Sequence, residues 1–187
     1  FNWENLNDGE DLTLSEIKKV SENLPRFKVL LISGGEPFLR KDLAEIIKVF
    51  HQRNGVVFVG IPTNGTVGKD AVKIIEKLLK IDRGLTISLY FSIDGLKEFQ
   101  DWSRGVKGSF DKTINLIFET EKFKKYFPNL SININTVISA DNLEEIPRFI
   151  SFVESRMNGV IDGHYFELIR GSPRNPAAKS LDKKKEH

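Results

Sequence analysis

Along this 187-residue chain, segments with short apolar runs typical of strands follow segments whose apolar residues recur at helical spacing. Short apolar runs rich in β-branched residues predict five strands, at residues 28–33, 56–61, 85–93, 131–138 and 163–169. Apolar residues at helical spacing predict five helices, at residues 13–24, 41–53, 70–81, 110–127 and 143–156. Because strands and helices alternate after the first helix, the pattern predicts an α/β fold with a parallel sheet and crossover helices.

Composition and charge are those of an ordinary globular protein, at 40% hydrophobic and 29% charged residues. The net charge of +2 is too small to indicate a nucleic-acid or membrane-surface partner, so we expect neither. No apolar run has the length of a membrane span and no signal peptide is visible, so the predicted location is cytoplasmic. There is no cysteine, which excludes a disulfide or a thiolate metal site within this chain.

The first predicted strand ends abruptly at Gly34-Gly35-Glu36-Pro37. Glycines without a Cβ let a ligand approach the backbone closely, and Glu36 offers a carboxylate where α/β folds place their chemistry. Pro37 favours an extended Glu36 and stops the strand ladder. A purely structural alternative is that Glu36 only caps the helix that follows.

Polar residues also follow the other strands, at Thr63-Asn64 and at Ser92-Ile93-Asp94-Gly95, with Arg104 in the predicted loop after the third strand. The fourth strand carries Asn133 and Asn135 on one face. The carboxyl ends of parallel strands converge, so these groups are suited to hold an amino-acid group and a ribose. The structural alternatives are a simple turn at Asp94-Gly95 and hydrogen bonding of the asparagines inside the barrel.

Taken in order, these motifs resemble those of radical S-adenosylmethionine (SAM) enzymes, in the group typified by anaerobic sulfatase-maturing enzymes and peptide maturases. The resemblance runs from Phe1 to about Arg174. It rests on Gly34-Gly35-Glu36-Pro37, Thr63-Asn64-Gly65-Thr66, Ser92-Ile93-Asp94-Gly95, Arg104-Gly105, Gly108-Ser109-Phe110 and Asn135-Thr136-Val137. It implies a partial (β/α)6 TIM-like barrel whose first strand and cluster loop lie outside this chain. Residues 1–170 would form the core, and residues 171–187 a connector or tail.

The resemblance implies a role for each motif in binding SAM. Glu36, with the backbone of Gly34 and Gly35 before Pro37, would bind the methionyl ammonium. Ser92 would contact the ribose. The remaining assignments are Asp94 beside Ser92, Arg104 on the methionyl carboxylate, Thr63 and Asn64 in the floor, and Asn135 and Val137 along the nucleoside.

One departure from the family concerns its iron–sulfur cluster. Members carry three cysteines, spaced Cys-x-x-x-Cys-x-x-Cys, that ligate a [4Fe–4S] cluster, whereas this chain has none. Phe1-Asn2-Trp3 resembles the segment after the third cysteine, which predicts a chain that begins just after the cluster loop. The alternative is a degenerate member that has lost the cluster. No residue of this chain is assigned as a catalytic group or a metal ligand.

The resemblance also implies the reaction of the intact protein. The reduced cluster would donate an electron to the SAM sulfonium, and the resulting 5′-deoxyadenosyl radical would abstract hydrogen from a peptide or small-molecule substrate. An electron donor is therefore an implied partner, and the 187-residue chain alone is predicted to be inactive. Two alternatives are a cluster-less SAM-binding or scaffold protein and an unrelated (β/α) barrel enzyme. The latter would require a catalytic lysine at a strand end or a late phosphate loop, and neither is found.

Overall fold

Five parallel strands form a single sheet whose spatial order follows the sequence. The structure is a computed structural model and describes residues 11–170 and 176–180. The strands are β1 (Val29–Leu31), β2 (Phe58–Thr63), β3 (Thr86–Ser92), β4 (Leu130–Ile138) and β5 (Gly163–Leu168). The sheet curls into a half-barrel, which confirms the predicted α/β class and the partial TIM-like barrel.

The second to sixth helices connect successive strands and cover one face of the sheet, whereas the first precedes β1 and packs on the second helix. The helices are α1 (Leu14–Glu22), α2 (Leu43–Asn54), α3 (Lys69–Leu79), α4 (Lys97–Arg104), α5 (Ser109–Glu121) and α6 (Ile146–Arg156). Short 3-10 helices lie at Pro37–Leu39 and Pro176–Lys179. No helix in the described part of the chain is long and apolar enough to cross a membrane.

The two faces of the sheet differ in chemistry because side chains alternate along each strand. On β3, Ile87, Leu89 and Phe91 are fully buried in the core formed with the helices. Ser88 and Tyr90 point to the opposite, inner face. The inner face therefore carries polar and aromatic side chains, whereas the helix-covered face is aliphatic and aromatic.

Local sequence signals account for several element ends. Thr13 and Glu16 form a capping box at the start of α1. Gly55 ends α2 with a φ of 77°, a left-handed conformation that suits glycine. Thr63 lies within β2, although the predicted strand ended at residue 61. The helix predicted over residues 110–127 ends at Glu121 and continues as turns.

Helix α4 was not among the predicted helices, and the placement of Arg104 in a loop was wrong. Arg104 is the last residue of α4, followed by Gly105 in the left-handed conformation. This helix buries no apolar stripe, since Gln100 is its one buried residue. Hydrogen bonds from outside stabilise it instead, such as that from the Leu96 N–H to the Glu145 carboxylate at 2.6 Å.

The two edge strands of the sheet, β1 and β5, expose apolar side chains. In the described residues β1 pairs with β2 alone, and Val29 and Leu31 are 54% and 69% exposed. On the far side, β5 exposes Tyr165 and Leu168.

The division into a core at residues 1–170 and a connector at 171–187 stays a prediction. Residues 1–10, 171–175 and 181–187 lie outside the described residues, as does the Phe1-Asn2-Trp3 segment. Within the predicted connector, Ala178 is buried and its carbonyl accepts a hydrogen bond from the Ala140 N–H at 2.8 Å. Residues 176–180 therefore dock beyond the carboxyl end of β4.

Candidate SAM-binding rim at the carboxyl ends of the strands

The polar residues predicted from the sequence lie at the carboxyl ends of neighbouring strands. We call this set the rim; it comprises Gly34, Gly35, Glu36, Thr63, Asn64, Ser92, Asp94, Arg104, Asn135 and Val137. Pro37 stands beside it as the buried first residue of a 3-10 helix.

Glu36 joins the end of β1 to the end of β2. One of its carboxylate oxygens accepts hydrogen bonds from the Thr63 hydroxyl at 2.9 Å and from the Phe38 N–H at 3.2 Å. The other accepts from the Asn64 N–H at 2.7 Å. Glu36 is therefore the N-cap of the 3-10 helix, but capping alone is not its role. Capping does not account for the bonds to Thr63 and Asn64, which fix the carboxylate at the rim.

The two glycines before Glu36 serve different purposes. Gly34 has a φ of +122°, which side-chain-bearing residues rarely adopt, so the backbone itself requires glycine there. Gly35 has no such φ, and a Cβ added to it would meet no atom within 4 Å. Gly35 therefore leaves open space at the rim that the fold does not need.

The turn after β2 is held by its own side chains. The Asn64 side-chain oxygen accepts from the Thr66 N–H and hydroxyl at 2.9 and 2.6 Å, and the Thr113 hydroxyl donates to the Asn64 carbonyl at 2.7 Å. A Cβ on Gly65 would lie 2.6 Å from Thr113 Cγ2. Helix α5 therefore packs directly on this turn and sets its position.

Asp94 is the most completely bonded residue of the rim. Its N–H donates to Gln100 at 2.8 Å, and its carbonyl accepts from Asn142 at 2.7 Å. Its carboxylate accepts from the Val137 N–H at 2.9 Å and from Arg104 at 2.7 Å. Because both carboxylate oxygens are engaged, Asp94 acts here by orienting its neighbours.

Arg104 lies against Asp94, with a second contact of 3.3 Å to the Ser92 carbonyl. Its Nε is buried and has no hydrogen-bond partner among the described residues. The helix carrying it is anchored by Asp101, whose carboxylate accepts from the Gly108 and Phe110 N–H groups at 2.6 and 3.0 Å. These backbone hydrogen bonds lower the pKa of the Asp101 carboxyl.

Ser92 and Asn135 are neighbours across the β3–β4 register on the inner face. Both are half-buried, and neither side chain hydrogen-bonds within the part of the chain that the structure describes. Asn133 differs, because it is buried and its amide donates to the Ser88 and Ser131 hydroxyls. The structural alternative is therefore confirmed for Asn133, while Asn135 retains free donors and acceptors.

Two residues that position the rim were missed by sequence reasoning. Gln100 links the Asp94 N–H to the Ser92 carbonyl, and Asn142 bridges the Asp94 and Val137 carbonyls. Both are buried. Their partners lie five to 48 residues away, and no local spacing signals such contacts.

The residues present do not fit an iron–sulfur cluster. The sequence contains no cysteine, and no group of three or more His, Asp or Glu residues is placed to hold a metal ion within residues 11–170 and 176–180. The residues of the rim fit SAM better. The carboxyl ends of the strands carry the open backbone of Gly35, the buried Nε of Arg104, and the unpaired side chains of Ser92 and Asn135.

Comparison with known families decides the classification. The family model described as "Radical SAM superfamily" matches residues 1–153. The chain belongs to the radical SAM superfamily. The resemblance stated from the motifs is therefore confirmed, and an unrelated barrel enzyme is excluded.

The radical SAM relatives that this chain matches are enzymes. It is 33% identical over 163 residues to the AdoMet-dependent heme synthase of Methanosarcina barkeri. The matched region covers 85% of this chain and 42% of that protein. The chain is 29% identical to the Fe-coproporphyrin III synthase of the same organism, over 77% of this chain and 34% of that protein. The GTP 3',8-cyclase of Helicobacter pylori is 30% identical, over 84% of this chain and 45% of that protein. The chain thus spans less than half the length of these relatives.

Solved structures support the fold. The structure described as "Native anSMEcpe with bound AdoMet" superposes with a TM-score of 0.63 at 16% identity, covering 88% of this chain and 45% of that one. A complex of the same protein with AdoMet and the Kp18Cys peptide gives a TM-score of 0.60 at 17% identity.

Proposed function

We propose that this chain is the SAM-binding part of a radical SAM enzyme that abstracts hydrogen from a peptide or small-molecule substrate. The observation that carries the proposal is the open backbone at Gly35 next to the fixed carboxylate of Glu36, at the same edge as the unpaired Ser92 and Asn135 side chains. In this family bound SAM supplies an alkyl radical for hydrogen abstraction.

The ammonium end of SAM is assigned to the Gly34–Glu36 segment. The Glu36 carboxylate is held by three protein donors, so it is preorganised and does not have to be ordered when a cation arrives. An ammonium group donates three hydrogen bonds and is attracted to this carboxylate.

The carboxylate end is assigned to Arg104 and the nucleoside to the inner face. The buried Nε of Arg104 lacks a partner among the described residues, and a guanidinium binds a carboxylate through two parallel hydrogen bonds. Ser92 would bond the ribose, and Asn135 and Val137 would line the nucleoside. Thr63 and Asn64 support this floor through Glu36.

The [4Fe–4S] cluster and the electron donor belong to the intact enzyme in this proposal. This chain supplies no cysteine for the cluster, so the work of its own residues is to bind and orient SAM and to exclude water. The substrate class stays broad because the relatives' names include a porphyrin synthase, a GTP cyclase and a protein solved with a peptide.

Isothermal titration of SAM into the purified chain and its Gly35→Ala variant tests the proposal. Alanine at residue 35 meets no atom of the fold, so the melting temperature is expected to be unchanged while SAM binds at least about tenfold more weakly. The matched control is Gly84→Ala, before the amino end of β3, where the new Cβ meets only the Asp82 side-chain oxygen at 3.1 Å. This control is expected to bind like the wild type.

Two results would refute the proposal. One is the absence of SAM binding by the wild-type chain. The other is equal affinity of the wild type and Gly35→Ala, which would place any SAM elsewhere.

A further inference from the structure

We propose that His164 is a positioning residue for the rim, holding Asp94 and Arg104 in place through the hydroxyl of Thr136. The inference rests on the proposed function, because the rim it supports is the proposed site of the SAM carboxylate. His164 itself lies on β5, on the helix-covered side of the sheet, and is not assigned a contact with the ligand.

The hydrogen-bond directions are fixed by chemistry. The Thr136 hydroxyl lies 2.6 Å from the Ile93 carbonyl oxygen and 2.8 Å from Nε2 of His164. A carbonyl oxygen can only accept, so the single hydroxyl proton of Thr136 is donated to Ile93. The hydroxyl must then accept from His164, which assigns the proton of the neutral imidazole to Nε2.

The surroundings of His164 keep it neutral and in place. Its ring packs edge-on against Phe149 at 5.4 Å and lies 4.2 Å from the Phe166 ring. His164 is half-buried, and this partial desolvation lowers its pKa to about 4. At neutral pH the imidazole therefore has one N–H, and that N–H is used on Thr136.

The Ile93 carbonyl lies at the point where backbone hydrogen bonds between β3 and β4 end and side-chain hydrogen bonds take over. The last β3–β4 bond is from the Ile93 N–H to the Asn135 carbonyl at 3.2 Å. Beyond it, side chains connect the two strands, among them Thr136 to Ile93 and Asp94 to the Val137 N–H. Ile93 and Thr136 are fully buried, so water cannot replace the hydroxyl on this carbonyl.

A continuous chain of contacts therefore runs from β5 to the rim. His164 orients the Thr136 hydroxyl, the hydroxyl fixes the peptide joining Ile93 to Asp94, and Asp94 holds Arg104 at 2.7 Å. Without the His164 donor the hydroxyl keeps one partner, the Ile93 carbonyl, and is held less firmly. The Ile93–Asp94 peptide is then fixed mainly by the bond from the Asp94 N–H to Gln100, so the Asp94–Arg104 pair is less firmly oriented, while Ser92 and Asn135 keep their positions.

Two probes separate positioning from general stability. S-adenosylhomocysteine carries the amino-acid group that Arg104 would bind, whereas 5′-methylthioadenosine has the same nucleoside and lacks that group. Affinities for both are measured by titration calorimetry on the wild-type chain and on His164→Leu, Thr136→Val and His164→Gln. The last variant places an amide N–H near the position of Nε2 and is the conservative control.

We expect His164→Leu and Thr136→Val each to weaken S-adenosylhomocysteine binding about fivefold to tenfold, which is about 1 kcal/mol of binding free energy. The affinity for 5′-methylthioadenosine should stay within about twofold of the wild-type value. The double variant should cost no more than the single ones, because both break one chain of contacts. His164→Gln should restore most of the affinity.

Each contrary result has a separate meaning. Equal weakening of both probes would make His164 a purely structural residue, and unchanged affinity would remove it from the rim; either overturns the inference and leaves the proposed function standing. If the wild-type chain binds neither probe, the proposed function fails, and the inference fails with it.

Discussion

The carboxylate of Glu36 accepts a hydrogen bond from the backbone N–H of Asn64 at 2.7 Å, joining two residues that are 28 positions apart in the chain. The contact ties the carboxyl ends of β1 and β2 together. It shows that Gly34-Gly35-Glu36-Pro37 and Thr63-Asn64-Gly65 form one structural unit, as expected for the ends of adjacent parallel strands.

Glu36→Gln is expected to destabilise the fold by about 1–3 kcal/mol, because one of the two acceptor oxygens becomes an NH2 that faces an existing donor, either the Asn64 N–H or the Thr63 hydroxyl. The measurement is urea unfolding followed by circular dichroism. Glu22→Gln is the control, since it weakens only the exposed pair of Glu22 with Arg53 and should cost under about 1 kcal/mol. Equal losses in the two variants would contradict the assigned bonding of Glu36.

Alanine substitutions at the two adjacent glycines are expected to differ. Gly34→Ala forces a side-chain-bearing residue to a φ of +122° and should cost about 1–3 kcal/mol of folding free energy. Gly35→Ala should stay within about 0.5 kcal/mol of the wild type, because its Cβ enters open space. Chemical denaturation of the two variants side by side checks this. A larger loss at Gly35 than at Gly34 would contradict the local geometry.

The pH dependence of stability should show the burial of His164. Its pKa is lowered from 6.5 to about 4, so the unfolded chain binds the proton more readily between these values, and stability falls as the pH drops through this range. The carboxyls of Glu16, Asp42 and Asp101 have lowered pKa values, so their contributions to stability are lost as the pH falls from the ordinary values, 4.5 for Glu16 and 3.8 for the two aspartates, through the lowered ones.

Unfolding free energies at pH 7 and pH 5 test this expectation. The wild type should lose more stability over this interval than His164→Gln, which cannot take up the proton at residue 164. The carboxylates of Glu154 and Asp162 line the same open pocket and are unchanged in both proteins. Parallel losses in the two proteins would show that His164 does not titrate as stated.

The exposed edge at β1 is expected to promote self-association. Leu31 is 69% exposed on a strand that pairs on one side only within the described residues, and such an edge offers both apolar surface and unpaired backbone groups. Sedimentation velocity should show concentration-dependent association that Leu31→Lys reduces. A single monomer peak at all concentrations for the wild type would be the opposite result.

The main elements could be predicted from the sequence because they carry apolar runs or stripes. Strands β2, β3 and β4 bury theirs, whereas β1 and β5 largely expose theirs, and each predicted strand is present with shifted ends. The helices that cover the sheet bury an apolar stripe. Helix α4 lacks it, since it is held by polar bonds to residues far along the chain, including Glu145. Local patterns do not contain such information.

The sequence was enough to predict that the candidate residues lie at the carboxyl ends of the strands, but not which hydrogen bonds their side chains make. Asn133 and Asn135 share residue type and strand face, and only tertiary contacts, such as the bond from Asn133 to the Ser88 hydroxyl, separate the buried amide from the free one. The Asp94–Arg104 pair, Gln100 and Asn142 likewise depend on tertiary contacts.

The central claim is that SAM binds at the rim, and amide chemical-shift mapping of the ¹⁵N-labelled 21.3 kDa chain tests it most directly. Titration with SAM should move the amides of Gly35, Glu36, Ser92, Asn135 and Val137, and leave those at the opposite ends of the strands, such as Gly84, unchanged. No shifts at millimolar SAM, or shifts confined to residues away from the rim, would contradict the account.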